Sequence, residues 1–385
     1  MANKNLSAAK RAKNDEFYTQ YADIQKEVNA YLNYNPDVFR DKVVLLPCDD
    51  PEWSNFTKFF AQNFERFGIK KLISTSYACA AKGKDACADY CPTLFEYNSE
   101  KFNKDKTETH GKIFTLTRDT NHNGRIDIDD LEWQYLDGDG DFRSDEIKKL
   151  RDAADIIVTN PPFSLFRQFL GWITEANKQF LIIGNMNAIT YKEVFPLIKA
   201  NKIWLGTKKC SGGMNMIYDQ HLFDARHVKK YTLDTQGNYI INIMGVIWFT
   251  NIEHGLRHQP LQLMTMADNI KFSKHKEIRN IGYQKYDNYD AIEVPYSDAI
   301  PSDYDGVMGV PITFLDKYCP EQFEIVAFRK GEDGKDLVFT RERESSTVLS
   351  YPCSTSIPGM IKNAEGKING KITYARITIK KTSNQ

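Results

Sequence analysis

The sequence predicts an α/β protein with a mainly parallel central sheet, and three observations carry that prediction. Short, continuously apolar runs recur at residues 43–46, 180–183 and 243–249; such strands are buried on both faces, which requires helices above and below them. Between them lie stretches whose apolar residues recur three and four apart, the period of one helix face. The chain has 385 residues, 41% of them hydrophobic, enough for one large domain or two ordinary ones.

The elements follow in order. Residues 42–46 form an apolar run ended by Pro47 and read as the first strand of the sheet. Residues 55–67 place Phe56, Phe59, Phe60, Phe64 and Phe67 on one helix face. Residues 71–76 read as the second strand and residues 155–159 as the third, which Pro161 and Pro162 stop because proline cannot donate to a ladder. A helix is expected over 166–174, then strands over 180–184 and 242–250. From about residue 256 the pattern changes to short strand-like pieces broken by Pro295, Asp305-Gly306, Pro311, Asp333-Gly334, Pro352, Pro358-Gly359 and Asn369-Gly370. The expected organisation is a domain over 1–255 followed by a β-rich region over 256–385. Ligands of open α/β sheets bind at the carboxyl ends of strands, so chemistry is sought in the loops after Leu46, Ser76 and Thr159.

The longest apolar runs fall far short of the ~20 residues that span a bilayer. The first 14 residues carry Lys4, Lys10, Arg11 and Lys13 without the apolar stretch of a secretory signal. Seven cysteines at irregular spacings suit a reducing compartment, so a soluble cytoplasmic protein is expected. Lys plus Arg equal Asp plus Glu at 51 each, yet the charge is unevenly placed. Residues 360–385 hold six bases against Glu365, whereas residues 115–155 hold twelve acids and six bases. This distribution suggests an anion-facing surface and a separate cation-binding or solvated loop; basic tails that only aid solubility are the plainer alternative.

Asn160-Pro161-Pro162-Phe163, at the end of the third strand, is the strongest signal. A chance Asn-Pro-Pro-aromatic occurs on the order of once per several hundred chains of this length, with proline at about 5% of residues. Two prolines fix a rigid extended turn, so the Asn oxygen and a backbone carbonyl can point at one amino group, with an aromatic face beside them. The motif resembles that of amino-group methyltransferases that use S-adenosylmethionine, chiefly those acting on adenine N6. A strand-terminating turn with a core Phe is the structural alternative.

Four segments occur in order around it: Asp15-Glu16-Phe17-Tyr18-Thr19, Leu46-Pro47-Cys48-Asp49-Asp50-Pro51 with Ser54-Asn55-Phe56, Gly138-Asp139-Gly140-Asp141-Phe142-Arg143-Ser144, and Asn160-Pro161-Pro162-Phe163-Ser164-Leu165-Phe166. With Asp305-Gly306-Val307-Met308-Gly309-Val310-Pro311, the similarity covers most of the chain. Together they resemble the EcoRI family of adenine-specific DNA methyltransferases. The resemblance implies a class I, Rossmann-like methyltransferase fold, S-adenosylmethionine as donor, and adenine N6 in a specific duplex DNA sequence as acceptor, reached by base flipping. A cognate restriction endonuclease in the same system and a monomeric state are further expectations. By resemblance, Phe17, Tyr18 and Thr19 contact the methionine end of the donor, and Cys48, Asp49 and Asp50 form the loop against it. Asp141 and Phe142 receive the donor adenine, the carboxylate accepting from the amine and the ring packing on the base. Asn160, Pro161, Pro162 and Phe163 hold the acceptor. The usual Gly-rich turn is missing after the first strand, and Ser74-Thr75-Ser76-Tyr77 offers no acid for the ribose. Core aromatics at Phe17 and Tyr18, and helix caps at Asp49 and Asp50, remain open as alternatives. Two other functions also stay open: the same device acting on an RNA base or a protein glutamine, and a non-enzymatic, calcium-dependent binding module.

A separate motif spans residues 119–130. It matches a calcium loop at positions 1, 3, 5, 6, 8 and 9, with Asp130 replacing the usual Glu at position 12. The candidate ligands of a structural Ca2+ are Asp119, Asn121, Asn123, the Arg125 carbonyl, Asp127 and Asp130; a metal-free acidic turn is the alternative. Cys79, Cys87 and Cys91 with His110 match no common zinc spacing. Lys208-Lys209 and Ser211-Gly212-Gly213 read either as a loop over DNA or as a surface turn.

Overall fold

The computed structural model describes residues 17–49, 54–78, 99, 101–218, 231–235, 237–287, 290–329 and 367–382. The chain divides into two compact units, Met1–Ala188 with Ile203–Gly255, and Ile189–Lys202 with Leu256–Gln385.

Among the described residues, twelve strands belong to the first unit: β1 (Phe17–Thr19), β2 (Val43–Pro47), β3 (Lys71–Ser76), β4 (Lys112–Leu116), β5 (Glu132–Tyr135), β6 (Ile156–Thr159), β7 (Gln179–Asn185), β8 (Trp204–Leu205), β9 (Gly213–Tyr218), β10 (Thr232–Leu233), β11 (Tyr239–Met244) and β12 (Val246–Thr250). Eight of them form one sheet in the order β5-β4-β3-β2-β6-β7-β12-β8. The central four, β3, β2, β6 and β7, run parallel. Both flanks are antiparallel, so the expectation of a mainly parallel sheet holds for the centre and not for the edges. The reason is visible at β4, where buried and half-buried residues alternate: only one face is covered, and no continuous apolar run marks it.

Two more expected elements are divided by single residues. The stretch 242–250 breaks at Gly245, whose φ of +74° a side chain would strain, and its halves β11 and β12 join different sheets. The helix expected over 55–67 becomes Asn55–Gln62 and Phe64–Phe67, interrupted at Asn63. Its phenylalanines nonetheless bury together, Phe60 lying 5.3 Å from Phe39 and 5.4 Å from Phe59 between ring centroids. Edge-on aromatic pairs of this kind contribute about 0.5–1.5 kcal/mol each beyond their burial. Helix Tyr21–Tyr34 buries Ile24, Glu27, Val28 and Tyr31, one helical stripe. The Glu27 carboxylate accepts from the Thr207 amide at 2.6 Å and hydroxyl at 2.7 Å, and burial pushes its pKa up. A small sheet, β1-β9-β11-β10, turns Met214, Met216, Ile241 and Ile243 into the same core.

The second unit carries β13 (Ile292–Glu293), β14 (Met308–Val310), β15 (Phe323–Arg329), β16 (Lys367–Ile368), β17 (Lys371–Ile372) and β18 (Arg376–Lys381). Four of these form a sheet in the order β13-β14-β18-β15. Strands β16 and β17 pair around Asn369 and Gly370, with φ of +51° and +73°, the left-handed pair that a tight Asn-Gly hairpin needs. Short helices Met266–Phe272 and Lys276–Ile281 precede the sheet. The turn signals at 333–334, 352 and 358–359 lie outside the described residues. Among the described residues no helix is long and apolar enough to cross a membrane.

Candidate active site

Strand β2 lies at the centre of the large sheet, with the chain continuing to β3 on one side and to β6 and β7 on the other. The carboxyl ends at such a switch point open a crevice. Asp49 sits there, 4% exposed. Its carboxylate accepts from the Ser54 hydroxyl at 2.6 Å and from the Thr159 hydroxyl at 2.5 Å. The Asp49 amide donates to the Thr75 carbonyl at 2.9 Å, and its carbonyl accepts from the Ser74 and Thr57 hydroxyls. Loops that begin at three strand ends are thereby tied at one residue. The cap of helix Asn55–Gln62 is Ser54, whose oxygen accepts from the Phe56 amide at 3.1 Å, not either aspartate. Asp50 lies outside the described residues.

Thr159 closes β6, and Asn160 follows it at the strand end. Asn160 is half-buried with its Oδ1 atom fully buried, and Pro161 is buried. The Leu165 amide donates to the Pro162 carbonyl at 2.9 Å, closing the turn that leads into helix Phe166–Glu175. Phe163 is half-buried, resting against the main core cluster with part of its surface open. The four motif residues are thus placed together, one side of the turn in the core and the other accessible.

Cys48 precedes Asp49 and has a φ of +74°, a conformation that non-glycine residues seldom adopt and that clusters at functional sites. Tyr77, after β3, reaches both Cys48 and the Phe142 amide; burial, then Cys48 and Asp141, push its phenol pKa well up. Gly140, at φ +86°, lets the 138–142 loop lie on β3, because a Cβ there would collide with the Ser76 carbonyl. Strand β1 pairs with β9, Tyr18 opposite Ile217 and Thr19 opposite Met216. The Thr19 carbonyl accepts from the Asn55 side chain at 2.8 Å, which brings the N-terminal segment to the helix after Asp49. Phe17 lies in the same strand.

Two buried hydroxyls here have no hydrogen-bond partner, those of Thr19 and Thr75. An orphaned buried hydroxyl costs about 1–3 kcal/mol, so a polar ligand that satisfied both would be held in part by that recovery. The two orphaned hydroxyls therefore suit a polar ligand. Thr75, Thr159 and Tyr77 did not stand out in the sequence, because nothing local distinguishes a threonine at a strand end.

Asp141 and Phe142 part company. Arg143 bonds the Asp141 carboxylate at 2.9 Å through Nε and holds its pKa below the usual carboxylate range. Phe142 is 1% exposed and packs edge-on against Phe169 and Trp172 at 5.1 and 5.7 Å. The ring expected to pack on a base has no exposed face, since the helix after the Pro-Pro turn covers it.

The acidic loop is closed by its own hydrogen bonds. Asp119 accepts from the Asn123 and Gly124 amides, Asn121 from Asn123, Asn123 from Arg125, and Asp127 from Asp129. Asp130, one methylene shorter than the usual Glu, spends its carboxylate on the amides of Thr120, Asn121 and Asp127 at 2.8, 3.1 and 3.0 Å. Among the described residues no group of three or more His, Cys, Asp or Glu is placed to hold a metal ion, so the expectation of calcium finds no support. His110 bonds the Thr109 hydroxyl, and Cys79, Cys87 and Cys91 lie outside the described residues. Lys208 donates to the Val246 carbonyl at 3.0 Å, and Gly212 leads into β9.

The chain is 41% identical over 379 residues to the type II methyltransferase M.EcoRI of Escherichia coli, covering 98% of this chain and 96% of that one. It is 33% identical over 380 residues to the type II methyltransferase M.MpnI of Mycoplasma pneumoniae, covering 98% of each. It is 34% identical over 379 residues to the type II methyltransferase M.MgeORF184P of Mycoplasma genitalium, again covering 98% of each. No solved structure matches. The family model for the adenine-specific methyltransferase EcoRI matches residues 5–382, and the chain belongs to that family.

Proposed function

We propose that the chain transfers a methyl group from S-adenosylmethionine to the N6 amino group of adenine in a specific duplex DNA sequence, on a class I methyltransferase sheet. The observation that carries this reading is the position of Asn160-Pro161-Pro162-Phe163 at the end of β6, beside β2, with Thr159 bonded to the β2 loop through Asp49. The parallel centre β3-β2-β6-β7 with antiparallel β12 beside β7 supports the sheet assignment. Membership of an adenine-specific family supports the acceptor. The names of the relatives, all type II methyltransferases, support duplex DNA as substrate and a cognate restriction endonuclease as partner.

When bound, the donor supplies an electrophilic methyl on a sulfonium. Thr19 and Thr75 hydroxyls, with Phe17, Tyr18, Cys48 and Asp50, would hold it, and the Asp141 carboxylate would accept from its adenine amine. The acceptor N6 is a weak nucleophile because its lone pair is delocalised into the ring. Asn160 Oδ1 and the Pro161 carbonyl accept hydrogen bonds from its two N–H groups and draw the nitrogen toward tetrahedral geometry, which frees the lone pair. Phe163 stacks on the base, and the two prolines keep the acceptors from relaxing. A base within a duplex cannot enter such a crevice, so the target nucleotide is flipped out. Residues 256–385 would contribute DNA recognition. Incubation with tritiated donor and duplex DNA, RNA or protein, followed by mapping of modified adenines, tests the reading. Label in N6-methyladenine at one duplex sequence is expected; label confined to RNA or protein, or none on any duplex, overturns it.

A further inference from the structure

We infer that Asp49 is a positioning residue, whose carboxylate holds the Asn160 turn in register with the donor loop, and not a donor contact. The inference rests on the reading of this crevice as a methyltransferase centre. An acid just past the end of β2 invites assignment as a ligand contact, yet both oxygens of Asp49 are engaged inside the protein. Oδ1 accepts from Ser54, the cap of helix Asn55–Gln62, and Oδ2 accepts from Thr159, the residue before Asn160. The Thr159 hydroxyl also lies 2.5 Å from the Pro47 carbonyl. One hydrogen serves two acceptors on the β2 side, so the end of β6 is drawn both to the main chain at the end of β2 and to the side chain of the loop that follows it.

The main chain of Asp49 gives the carboxylate a fixed base. Its amide is anchored to Thr75, and its carbonyl to Ser74 and Thr57, which are themselves 2.9 Å apart. Pinned to β3 and to the helix, Asp49 cannot follow β6 if β6 moves; the Thr159 bond instead decides where Asn160 starts. Methyl transfer requires sulfur, methyl and N6 in line, and a displacement of about 1 Å costs on the order of 100-fold in rate. The carboxylate therefore acts on the chemical step through the position of Asn160, and donor affinity is largely independent of it.

The test uses the full-length chain with Thr159→Val, which keeps shape and removes the hydroxyl, Thr159→Ser, which keeps the hydroxyl, and Asp49→Asn. Single-turnover transfer to duplex DNA at saturating donor is measured together with donor Kd by calorimetry. Thr159→Val and Asp49→Asn are each expected to slow transfer about tenfold with donor Kd changed less than about twofold. Thr159→Ser is expected to restore the rate, and the double variant Asp49→Asn with Thr159→Val to lose less than the sum of its parents, because the bond the two residues share can be lost only once. If Asp49→Asn does not fold, the Thr159 pair alone decides the matter. Unchanged transfer in Thr159→Val, or a tenfold weaker donor Kd in Asp49→Asn with normal transfer at saturation, overturns the positioning role alone. A wild-type chain inactive on every duplex overturns the functional reading, and the positioning role with it.

Discussion

Phe142→Ala separates core packing from donor packing. The ring is 1% exposed and meets Phe169 at 71° and Trp172 at 75°, both residues of the helix that follows the Pro-Pro turn. Truncating a phenylalanine this deep removes its burial and leaves a cavity, which together cost about 3–5 kcal/mol. The two edge-on pairs account for about 0.5–1.5 kcal/mol each of that sum. In a unit of about 240 residues, a loss of 1 kcal/mol lowers Tm by about 2–4 °C, so a drop of roughly 6–20 °C is expected. Calorimetric melting with and without S-adenosylmethionine, and donor titration at 25 °C on the folded variant, read the two effects separately. The structure requires a large fall in Tm with donor Kd changed less than about threefold; an unchanged Tm with donor affinity down about tenfold would refute the assignment of Phe142 to the core.

Asn160→Ala is expected to slow methyl transfer about 100-fold or more while leaving donor Kd nearly unchanged, since the lost contact forms fully only in the transition state. Near-normal single-turnover rates would remove Asn160 from the chemistry. Phe163→Trp is expected to bind duplex DNA with the target adenine better than Phe163→Ala, which loses about 1–3 kcal/mol of stacking; equal affinities would make Phe163 a packing residue only. The Arg143 hydrogen bond holds the folded Asp141 carboxyl below its ordinary value of 3.8. The unfolded chain therefore binds the proton more readily, and the stabilisation is present above that ordinary value and lost as pH falls through the depressed one. Denaturant melts from pH 5 to pH 2 should show a shallower acid-side loss for Asp141→Asn than for the wild type, and identical slopes would show that the pair contributes nothing.

Strands β2, β3, β6 and β7 and the Pro-Pro turn are legible in the sequence because each is a local signal: a continuous apolar run, or two residues that cannot donate. The Asn369-Gly370 hairpin is legible for the same reason, since left-handed φ is a property of those residue types. The flanking β4 is not, because it buries one face only; the strand expected over 242–250 contains the flanking β12, but its division at Gly245 depends on two sheets being present at once. The calcium-loop spacing reports a run of side chains that accept from nearby amides, those of Asp119 to Asp127 two to five residues on and that of Asp130 three to ten residues back. That same set of bonds closes the turn without a metal, so spacing alone does not separate the two. Asp141 and Phe142 are neighbours in sequence, yet adjacent side chains leave the backbone in different directions, and only the helix Phe166–Glu175 decides that one ring is core. The contact that ties the site together, Asp49 to Thr159, joins residues 110 apart. The sequence by itself determines which residue types arrive at the strand ends; which of them touch is decided by the parallel pairing of β2 with β6, because side-by-side strands bring together loops that no local pattern relates.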